Sequence, residues 1–167
     1  MRGKDVGDQA KQAHLLLRAG GQTLATAESL TGGRLAALFT ATPGASETYL
    51  GGVVAYATEL KQALLGVPDE VVERYGVVSA ECARAMASGV RGITGATYGV
   101  ATTGVAGPSE QEGKPAGTVF VGLAGPGLLE AVALELSGDR ATITDRTCDE
   151  AVSALAAILR REEAGLG

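Results

Sequence analysis

The chain has 167 residues, of which 46% are hydrophobic and 20% charged, a composition typical of one globular domain that excludes a largely disordered chain. Its net charge of −5 and its scattered basic residues argue against a nucleic-acid-binding surface, which requires a basic stripe. Because no long apolar run and no signal-peptide pattern occurs, we expect a cytoplasmic protein that does not associate with a membrane.

Three residue counts narrow the possible chemistry. Glycine accounts for 25 of the 167 residues, about twice the usual share, which indicates tight turns or a backbone that approaches a ligand closely. His14 is the only histidine, which excludes histidine-rich metal sites and almost every Ser-His-Asp scheme. Cys82 and Cys148 lie far apart without a CxxC motif, which favours two buried thiols.

Helices and strands alternate along the sequence. In chain order the pattern predicts helix 7–19, strand 23–27, helix 34–40, strand 49–56, helix 59–65, helical turn 68–74, helix 80–93, strand 97–102, strands 118–124 and 129–136, and helix 139–161. Val53 and Val54 favour a central, two-sided position for strand 49–56. The run Gly125-Pro126-Gly127 predicts a hairpin between strands 118–124 and 129–136.

This order of elements predicts the fold class. Alternating helices and strands that end in a hairpin form an α/β fold, a three-layer α/β/α sandwich with a mixed β-sheet. We expect a single domain over residues 1–167, with residues 1–7 and 162–167 frayed. Helix 80–93 is rich in alanine, which allows close packing against the sheet or against a partner subunit.

Ligands of open α/β sheets bind where strands end and helices begin, and one such junction is Glu28-Ser29-Leu30-Thr31-Gly32-Gly33. Here the Ser29 hydroxyl is available to a substrate, and free N–H groups of the following helix are expected to stabilise an oxyanion or a phosphate. The alternative is that Ser29 only caps the helix. The sequence does not show whether Glu28 belongs to the site.

A second polar junction follows the strand at 97–102. It begins with Thr102-Thr103-Gly104 and continues through Ala106 into a loop with Glu110, Glu112 and Lys114. Its small residues allow backbone amides to approach a phosphate or a sugar, whereas the alternative is a mobile surface loop. GxGxxG, Walker, GxSxG and SxxK motifs are all absent, so a covalent mechanism needs Ser or Thr with a base from elsewhere in the chain.

Lys61 is a candidate for that base. It follows the second strand, close to Tyr56, and it is one of only four lysines. Desolvation among apolar neighbours lowers the pKa of a lysine, and a neutral amine accepts a proton from a serine. Serine–lysine pairs are a variant of the catalytic triad. The alternative is a solvated lysine on a helix surface.

Five ordered motifs resemble those of the CinA C-terminal domain family, which includes nicotinamide-nucleotide amidases. The resemblance extends from about residue 8 to residue 160. Its motifs are AESLTGG at 27–33, YATELK at 56–61, GVVS at 76–79, TGVAGP at 103–108 and GKPAGTV at 113–119. Longer family members carry a further domain before this one, and on the resemblance we expect the stand-alone form.

The resemblance implies a hydrolase in pyridine nucleotide metabolism. The expected enzyme deamidates nicotinamide mononucleotide to nicotinate mononucleotide and ammonia, which contributes to NAD salvage. Ser29 matches the family's nucleophile and Lys61 its general base, with Tyr56 in support. The substrate-binding positions that the resemblance implies are Thr31, Gly32, Gly33, Thr103, Gly104, Ala106 and Arg140. No metal or organic cofactor is implied, the only expected ligand is a small nucleotide, and a homo-oligomer is expected.

Two positions depart from the family pattern. Thr103 replaces the usual serine and keeps a hydroxyl, whereas Thr144 stands where a second arginine is usual, so a phosphate contact rests on Arg140, with Arg146 two positions beyond Thr144. Two other functions stay open: a non-catalytic nucleotide- or partner-binding module of the competence or DNA-damage response, and serine–lysine chemistry on another pyridine nucleotide or a simpler amide.

Overall fold

The computed structural model describes residues 2–165, which form a five-stranded sheet between two helical layers. Its elements are α1 (Arg2–Ala19), β1 (Leu24–Glu28), α2 (Arg34–Thr40), β2 (Tyr49–Val54), α3 (Thr58–Leu65), α4 (Asp69–Tyr75), α5 (Ala80–Thr94), β3 (Tyr98–Gly104), β4 (Thr118–Gly125), β5 (Leu128–Glu135) and α6 (Arg140–Glu163), with a 3₁₀ turn at Ala45–Glu47. Most of the residues that we expected to fray are therefore helical, while residues 1, 166 and 167 lie outside the described residues.

The sheet confirms the predicted mixed topology. Its strand order is β2-β1-β3-β4-β5. β1 runs parallel to both β2 and β3, whereas β4 is antiparallel to β3 and to β5. The hairpin predicted at Gly125-Pro126-Gly127 joins β4 to β5. The carboxyl ends of the three parallel strands therefore lie along one edge of the sheet, where ligands of such folds bind.

The predicted central position of strand 49–56 is wrong, because β2 lies at the edge of the sheet. Its side chains alternate between half-buried and exposed, and Leu50 and Val54 are both nearly half exposed. A short apolar run is compatible with either position, because burial depends on which strands pair with it. The strand also ends at Val54, two residues earlier than predicted, so Ala55 and Tyr56 lie in the loop that precedes α3.

The two helical layers each cover a separate core. One cluster joins α1, α2 and α6 to one face of the sheet through residues such as Leu17, Leu35 and Leu155. The other joins α3, α4 and α5 to the opposite face through residues such as Leu65 and Met86. This arrangement confirms the predicted three-layer α/β/α sandwich.

The alanine-rich face of α5 packs against the sheet. A Cβ at Gly99 in β3 would lie 2.2 Å from the carbonyl oxygen of Ala87, and one at Gly122 in β4 would lie 2.1 Å from that of Ala83. Helix and strands thus approach so closely that only glycine fits at these two strand positions. None of the helices within residues 2–165 is long and apolar enough to span a membrane.

Local capping signals fix the two helices that flank the site. Ser79 is the N-cap of α5, where its hydroxyl accepts a hydrogen bond from the Cys82 amide at 3.1 Å. Asp139 caps α6 by accepting from the Thr142 amide at 2.9 Å. The hydrogen bond to Thr142 holds the pKa of the exposed Asp139 carboxyl below its usual value. Both starts follow the sequence expectation to within a residue.

Candidate active site

A cavity of about 420 Å³ opens at the carboxyl end of the parallel strands. Five segments line it: Ser29 and Leu30 after β1, Tyr56 with Thr58 and Lys61 after β2, Val77 and Val78 before α5, residues 103–111 around the end of β3, and Arg140 at the start of α6. Seven of the ten predicted site residues therefore meet here, and they are Ser29, Tyr56, Lys61, Thr103, Gly104, Ala106 and Arg140.

Ser29 occupies the turn directly after β1. Its amide donates to the carbonyl oxygen of Thr102 at 3.0 Å, which continues the pairing of β1 with β3 by one residue. The side chain is almost completely buried, with 8% exposed, and it lines the cavity. Ser29 does not cap α2, because that helix begins at Arg34 after an N-cap at Gly33. The alternative that we left open, a purely capping serine, is therefore wrong.

Lys61 lies on α3 with its side chain turned inward, and only 1% of the residue is exposed. Its amine donates to the carbonyl oxygens of Ala55 at 2.8 Å and Tyr56 at 3.1 Å. Burial lowers the pKa of Lys61, and electrostatic interactions with Cys82, Glu112 and Glu59 oppose that shift. The alternative that this lysine is a solvated surface residue is therefore wrong.

Tyr56 and Arg140 form a bridge at the mouth of the cavity. Arg140 donates one hydrogen bond to the Tyr56 hydroxyl at 2.6 Å and another to the carbonyl oxygen of Gly107 at 2.7 Å. More than half of Tyr56 is exposed, and Arg140 is exposed as well. These two hydrogen bonds hold the Arg140 guanidinium at the opening of the cavity, where it remains accessible to an anionic ligand.

The buried Glu28 carboxylate organises the turn that contains Ser29. One oxygen of Glu28 accepts from the Thr31 hydroxyl at 2.6 Å and from the Leu35 amide at 2.7 Å, and the other accepts from the Ala36 amide at 3.1 Å. Glu28 therefore neutralises the amino end of α2 from inside the fold. The N–H groups that we expected to be free for an oxyanion or phosphate are already engaged, so that expectation is wrong.

Three predicted binding residues lie outside the cavity lining. Thr31 is completely buried, and its hydroxyl lies between Glu28 and the Thr102 hydroxyl, which is 2.8 Å away. Gly32 and Gly33 continue the turn with positive φ angles of 56° and 104°. All three shape the chain between Ser29 and α2, and a direct contact with substrate stays a prediction.

The second junction contributes a wall of small residues. Thr103 is buried and donates from its hydroxyl to the Val77 carbonyl at 2.7 Å, so this side chain links β3 to the segment before α5. Gly104 and Ala106 follow on the cavity surface. The loop beyond them is tied back by Glu112, which accepts from the amides of Val77 and Val78. The alternative of a mobile surface loop does not fit this bonding.

The sequence alone assigns no site role to several positions that the structure places at or beside the cavity. Val77 and Val78 form part of the lining, and Glu112 holds them from a position 34 to 35 residues further along the chain. In the sequence, Glu112 is only a polar loop residue, because nothing in its immediate neighbourhood indicates its partners. A positive φ of 55° at this residue is visible only in the structure.

A larger cavity of about 580 Å³ lies between α2 and α6. It includes Arg34 and Arg146 together with Asp145 and the buried Cys148, and most of its surface is apolar. Burial raises the pKa of Cys148 to about 12, so its thiol is a poor nucleophile at neutral pH. The thiol of this cavity is therefore not a nucleophile comparable to the serine and lysine pair that lines the first cavity. Within residues 2–165, no three of His, Cys, Asp and Glu group in a way that could hold a metal ion.

Comparison with known proteins identifies the family. The model of the CinA C-terminal domain matches residues 7–159. A CinA-like protein of Frankia casuarinae is 52% identical over 144 residues, which are 86% of this chain and 32% of that protein. A CinA-like protein of Anaeromyxobacter sp. is 45% identical over 159 residues, covering 95% of this chain and 38% of that protein. The chain thus spans about a third of the length of these curated relatives.

Solved structures match over nearly their whole length. The competence damage-inducible protein A of Klebsiella pneumoniae has a TM-score of 0.90 and 34% identity, covering 93% of this chain and 97% of that one. A competence-damaged protein (CinA) superfamily protein of Escherichia coli has a TM-score of 0.88 and 30% identity, covering 92% and 89%. The family match, the relatives and the shared fold agree: the chain belongs to the CinA C-terminal domain family.

Proposed function

We propose that this domain is an amidase that hydrolyses the carboxamide of nicotinamide mononucleotide, giving nicotinate mononucleotide and ammonia. The observation that carries the proposal is that one cavity brings together a serine and a buried lysine, because Ser29 and Lys61 both line it. The choice of nicotinamide mononucleotide as the substrate rests on membership of a family that includes nicotinamide-nucleotide amidases.

The environment of Lys61 supports a role as general base. A neutral amine carries two hydrogens, and two carbonyl oxygens, those of Ala55 and Tyr56, accept hydrogen bonds from this one. The lone pair of the nitrogen then stays free, and it is able to accept the Ser29 proton. Because burial lowers the pKa of Lys61, a larger share of the amine is neutral near physiological pH than for an exposed lysine.

The proposed reaction has two stages. In the first, Lys61 takes the Ser29 proton while the serine oxygen bonds to the amide carbon, and the C–N bond then breaks as Lys61 passes the proton to the leaving ammonia. In the second, water attacks the resulting ester of Ser29 while Lys61 accepts a proton from that water, and the ester C–O bond then breaks as Lys61 passes the proton to the serine oxygen and nicotinate mononucleotide leaves. Each stage moves one proton and breaks one bond to the carbonyl carbon.

Two backbone amides are proposed to stabilise the oxyanion of both stages. Leu30 and Ala106 line the cavity, and the backbone hydrogen bonds of residues 2–165 include none donated by their amides. They replace the amides at the start of α2, which Glu28 occupies. A preorganised donor of this kind contributes about 10² to 10³ in kcat.

Arg140 is proposed to bind the nucleotide phosphate. The acidic and basic side chains of the lining are Lys61, Glu110 and Arg140, and of the two basic ones only Arg140 is exposed. A guanidinium in this position pairs with a phosphate while the nicotinamide ring reaches inward to Ser29. Glu110 is then the one carboxylate of the lining, and its exposed position keeps it in solvent.

Ammonia release tests the proposal. Purified protein is incubated with nicotinamide mononucleotide, and ammonia and nicotinate mononucleotide are quantified for the wild type, Ser29→Ala and Lys61→Met. We expect equimolar products from the wild type and a loss of at least about 10³-fold in both variants. Nucleotide binding without ammonia release by the wild type would support the alternative, a binding module of the competence or damage response.

A further inference from the structure

The segment Val77-Val78 forms an apolar part of the cavity wall, and side chains hold all of its main-chain polar groups. Glu112 accepts from the Val77 amide at 3.0 Å and from the Val78 amide at 2.8 Å. Thr103 donates to the Val77 carbonyl oxygen at 2.7 Å, and the Lys114 amine donates to that of Val78. The position of this wall therefore depends on three side chains from β3 and the loop after it.

Glu112 occupies a backbone position that normally disfavours it. Gln111 and Lys114 exchange two backbone hydrogen bonds of 2.9 and 3.0 Å, so Glu112 and Gly113 form a two-residue turn between them. Their φ angles are 55° and 73°. Asparagine, aspartate or glycine is the usual first residue where both φ angles are positive, and a glutamate there is uncommon. A longer carboxylate side chain therefore serves something other than the turn.

Gly76 completes this arrangement from the opposite side. It ends α4 with a φ of 77°, and a Cβ at this position would lie 2.6 Å from an oxygen of Glu112. A side chain at position 76 would therefore crowd the carboxylate that bonds to the Val77 and Val78 amides, and the positive φ there also favours glycine. Two independent backbone features, the strained turn at Glu112 and the glycine at 76, thus accommodate one pair of hydrogen bonds.

We propose that Glu112 is a positioning residue of the amidase: its carboxylate holds the Val77-Val78 wall against the loop at 103–111 and so fixes the width of the cavity that receives the nicotinamide ring. This inference rests on the proposed function and deepens it. Val77 and Val78 line the cavity with their main-chain polar groups bonded to other side chains, so an apolar surface is left to face an aromatic ring. Glu112 does not belong to the cavity lining and acts through these two residues.

The same carboxylate also contributes to the charge around Lys61. Interactions with Cys82, Glu112 and Glu59 raise the pKa of Lys61 against the effect of burial. Of these three, only the two carboxylates carry a negative charge near neutral pH, because burial raises the pKa of the Cys82 thiol to about 11. Removal of the Glu112 charge is therefore expected to move the pH at which Lys61 becomes neutral to a lower value. A side chain that only stabilised the fold would not move that pH.

Two variants of Glu112 separate geometry from charge. Glu112→Asn suits the turn but is too short to bridge both amides, whereas Glu112→Gln keeps the length and one acceptor oxygen while losing the charge. For Glu112→Asn we expect an unchanged or higher Tm, because asparagine suits the turn. The KM for nicotinamide mononucleotide should rise at least tenfold. Hydrogen exchange of the Val77 and Val78 amides should become at least tenfold faster, because their acceptor is lost. For Glu112→Gln we expect a smaller rise in KM. Both variants lose the charge of Glu112, so both should shift the pH profile of kcat/KM to lower pH.

The control is Glu130→Asn, a change of the same kind at an exposed position on β5, which should leave all four measurements as in the wild type. If the wild type is active and both Glu112 variants stay within twofold of it in kinetics and amide exchange, the role assigned to Glu112 is overturned while the proposed function stands. A fall in Tm that accounts for the activity loss without a shift in the pH profile would also overturn it. If the wild type itself releases no ammonia, the proposed function fails first.

Discussion

The guanidinium of Arg140 donates a hydrogen bond of 2.6 Å to the Tyr56 hydroxyl, although the two residues lie 84 positions apart. A second bond from Arg140 reaches the carbonyl oxygen of Gly107. The start of α6, the loop after β2 and the loop after β3 are thereby joined at the mouth of one cavity. This relationship gives Arg140 a fixed orientation while its exposed edge stays available to a ligand.

Substitution of Arg140 tests its proposed contact with the phosphate. Arg140→Ala should raise the KM for nicotinamide mononucleotide by at least about tenfold, because a charge-assisted contact is worth about 1.5–3 kcal/mol. Tyr56→Phe removes only the hydroxyl that receives the Arg140 bond and should have a smaller effect. Steady-state kinetics of ammonia release provide the measurement.

Nicotinamide riboside, which lacks the phosphate, is the matched control substrate for Arg140. The alanine variant should process it as the wild type does, since no phosphate contact is lost. An equal loss with both substrates would mean that Arg140 maintains the cavity and does not recognise the phosphate.

The pH dependence of kcat/KM tests Lys61 as the base. A protonated amine has no lone pair, so activity should rise with pH as Lys61 loses its proton. Because burial lowers the pKa of Lys61, the midpoint should lie below the ordinary lysine value of about 10.4. A flat profile between about pH 6 and 9, with chemistry shown to limit the rate, would contradict this role.

Glu28→Gln tests a structural role for the buried carboxylate beside Ser29. Glu28 accepts three hydrogen bonds and caps α2 from within the fold, so loss of its charge should lower the free energy of unfolding by about 1–3 kcal/mol. Urea denaturation gives that quantity, with Glu47→Gln at an exposed position as the control. Unchanged stability together with a large fall in kcat would instead assign Glu28 to the chemistry.

The two cysteines should resist alkylation in the folded protein. Both are free and buried, as the sequence predicted, and burial raises the pKa of Cys82 to about 11 and that of Cys148 to about 12. The thiolate is the reactive form, so iodoacetamide at about pH 8 should label neither residue until the chain is unfolded in guanidinium. Labelling of the native protein, detected by intact mass, would show that a thiol is accessible and ionised.

Features that depend on short stretches of sequence could be predicted. Glycine and proline at 125–127 fixed the hairpin, and Ser79 and Asp139 marked the starts of α5 and α6. The clustering of Ser29 and Lys61 followed from the family motifs and from the rule that parallel strands end at one edge of a sheet.

Features that depend on distant partners could not be predicted. The edge position of β2 is decided by strand pairing, which its own apolar residues do not encode. The amides at the start of α2 are used by Glu28, which lies seven residues before Leu35 and belongs to β1. Likewise, the partners of Glu112 lie 34 and 35 residues earlier, so its role becomes visible only in three dimensions.

Hydroxylamine trapping tests the covalent role of Ser29 most directly. An ester on Ser29 partitions between water and hydroxylamine, so the wild type should convert nicotinamide mononucleotide partly into the hydroxamate of the nucleotide while ammonia release continues. Ser29→Ala should form neither product above the rate without enzyme. Formation of the acid alone at saturating hydroxylamine, with turnover retained by Ser29→Ala, would contradict a serine nucleophile.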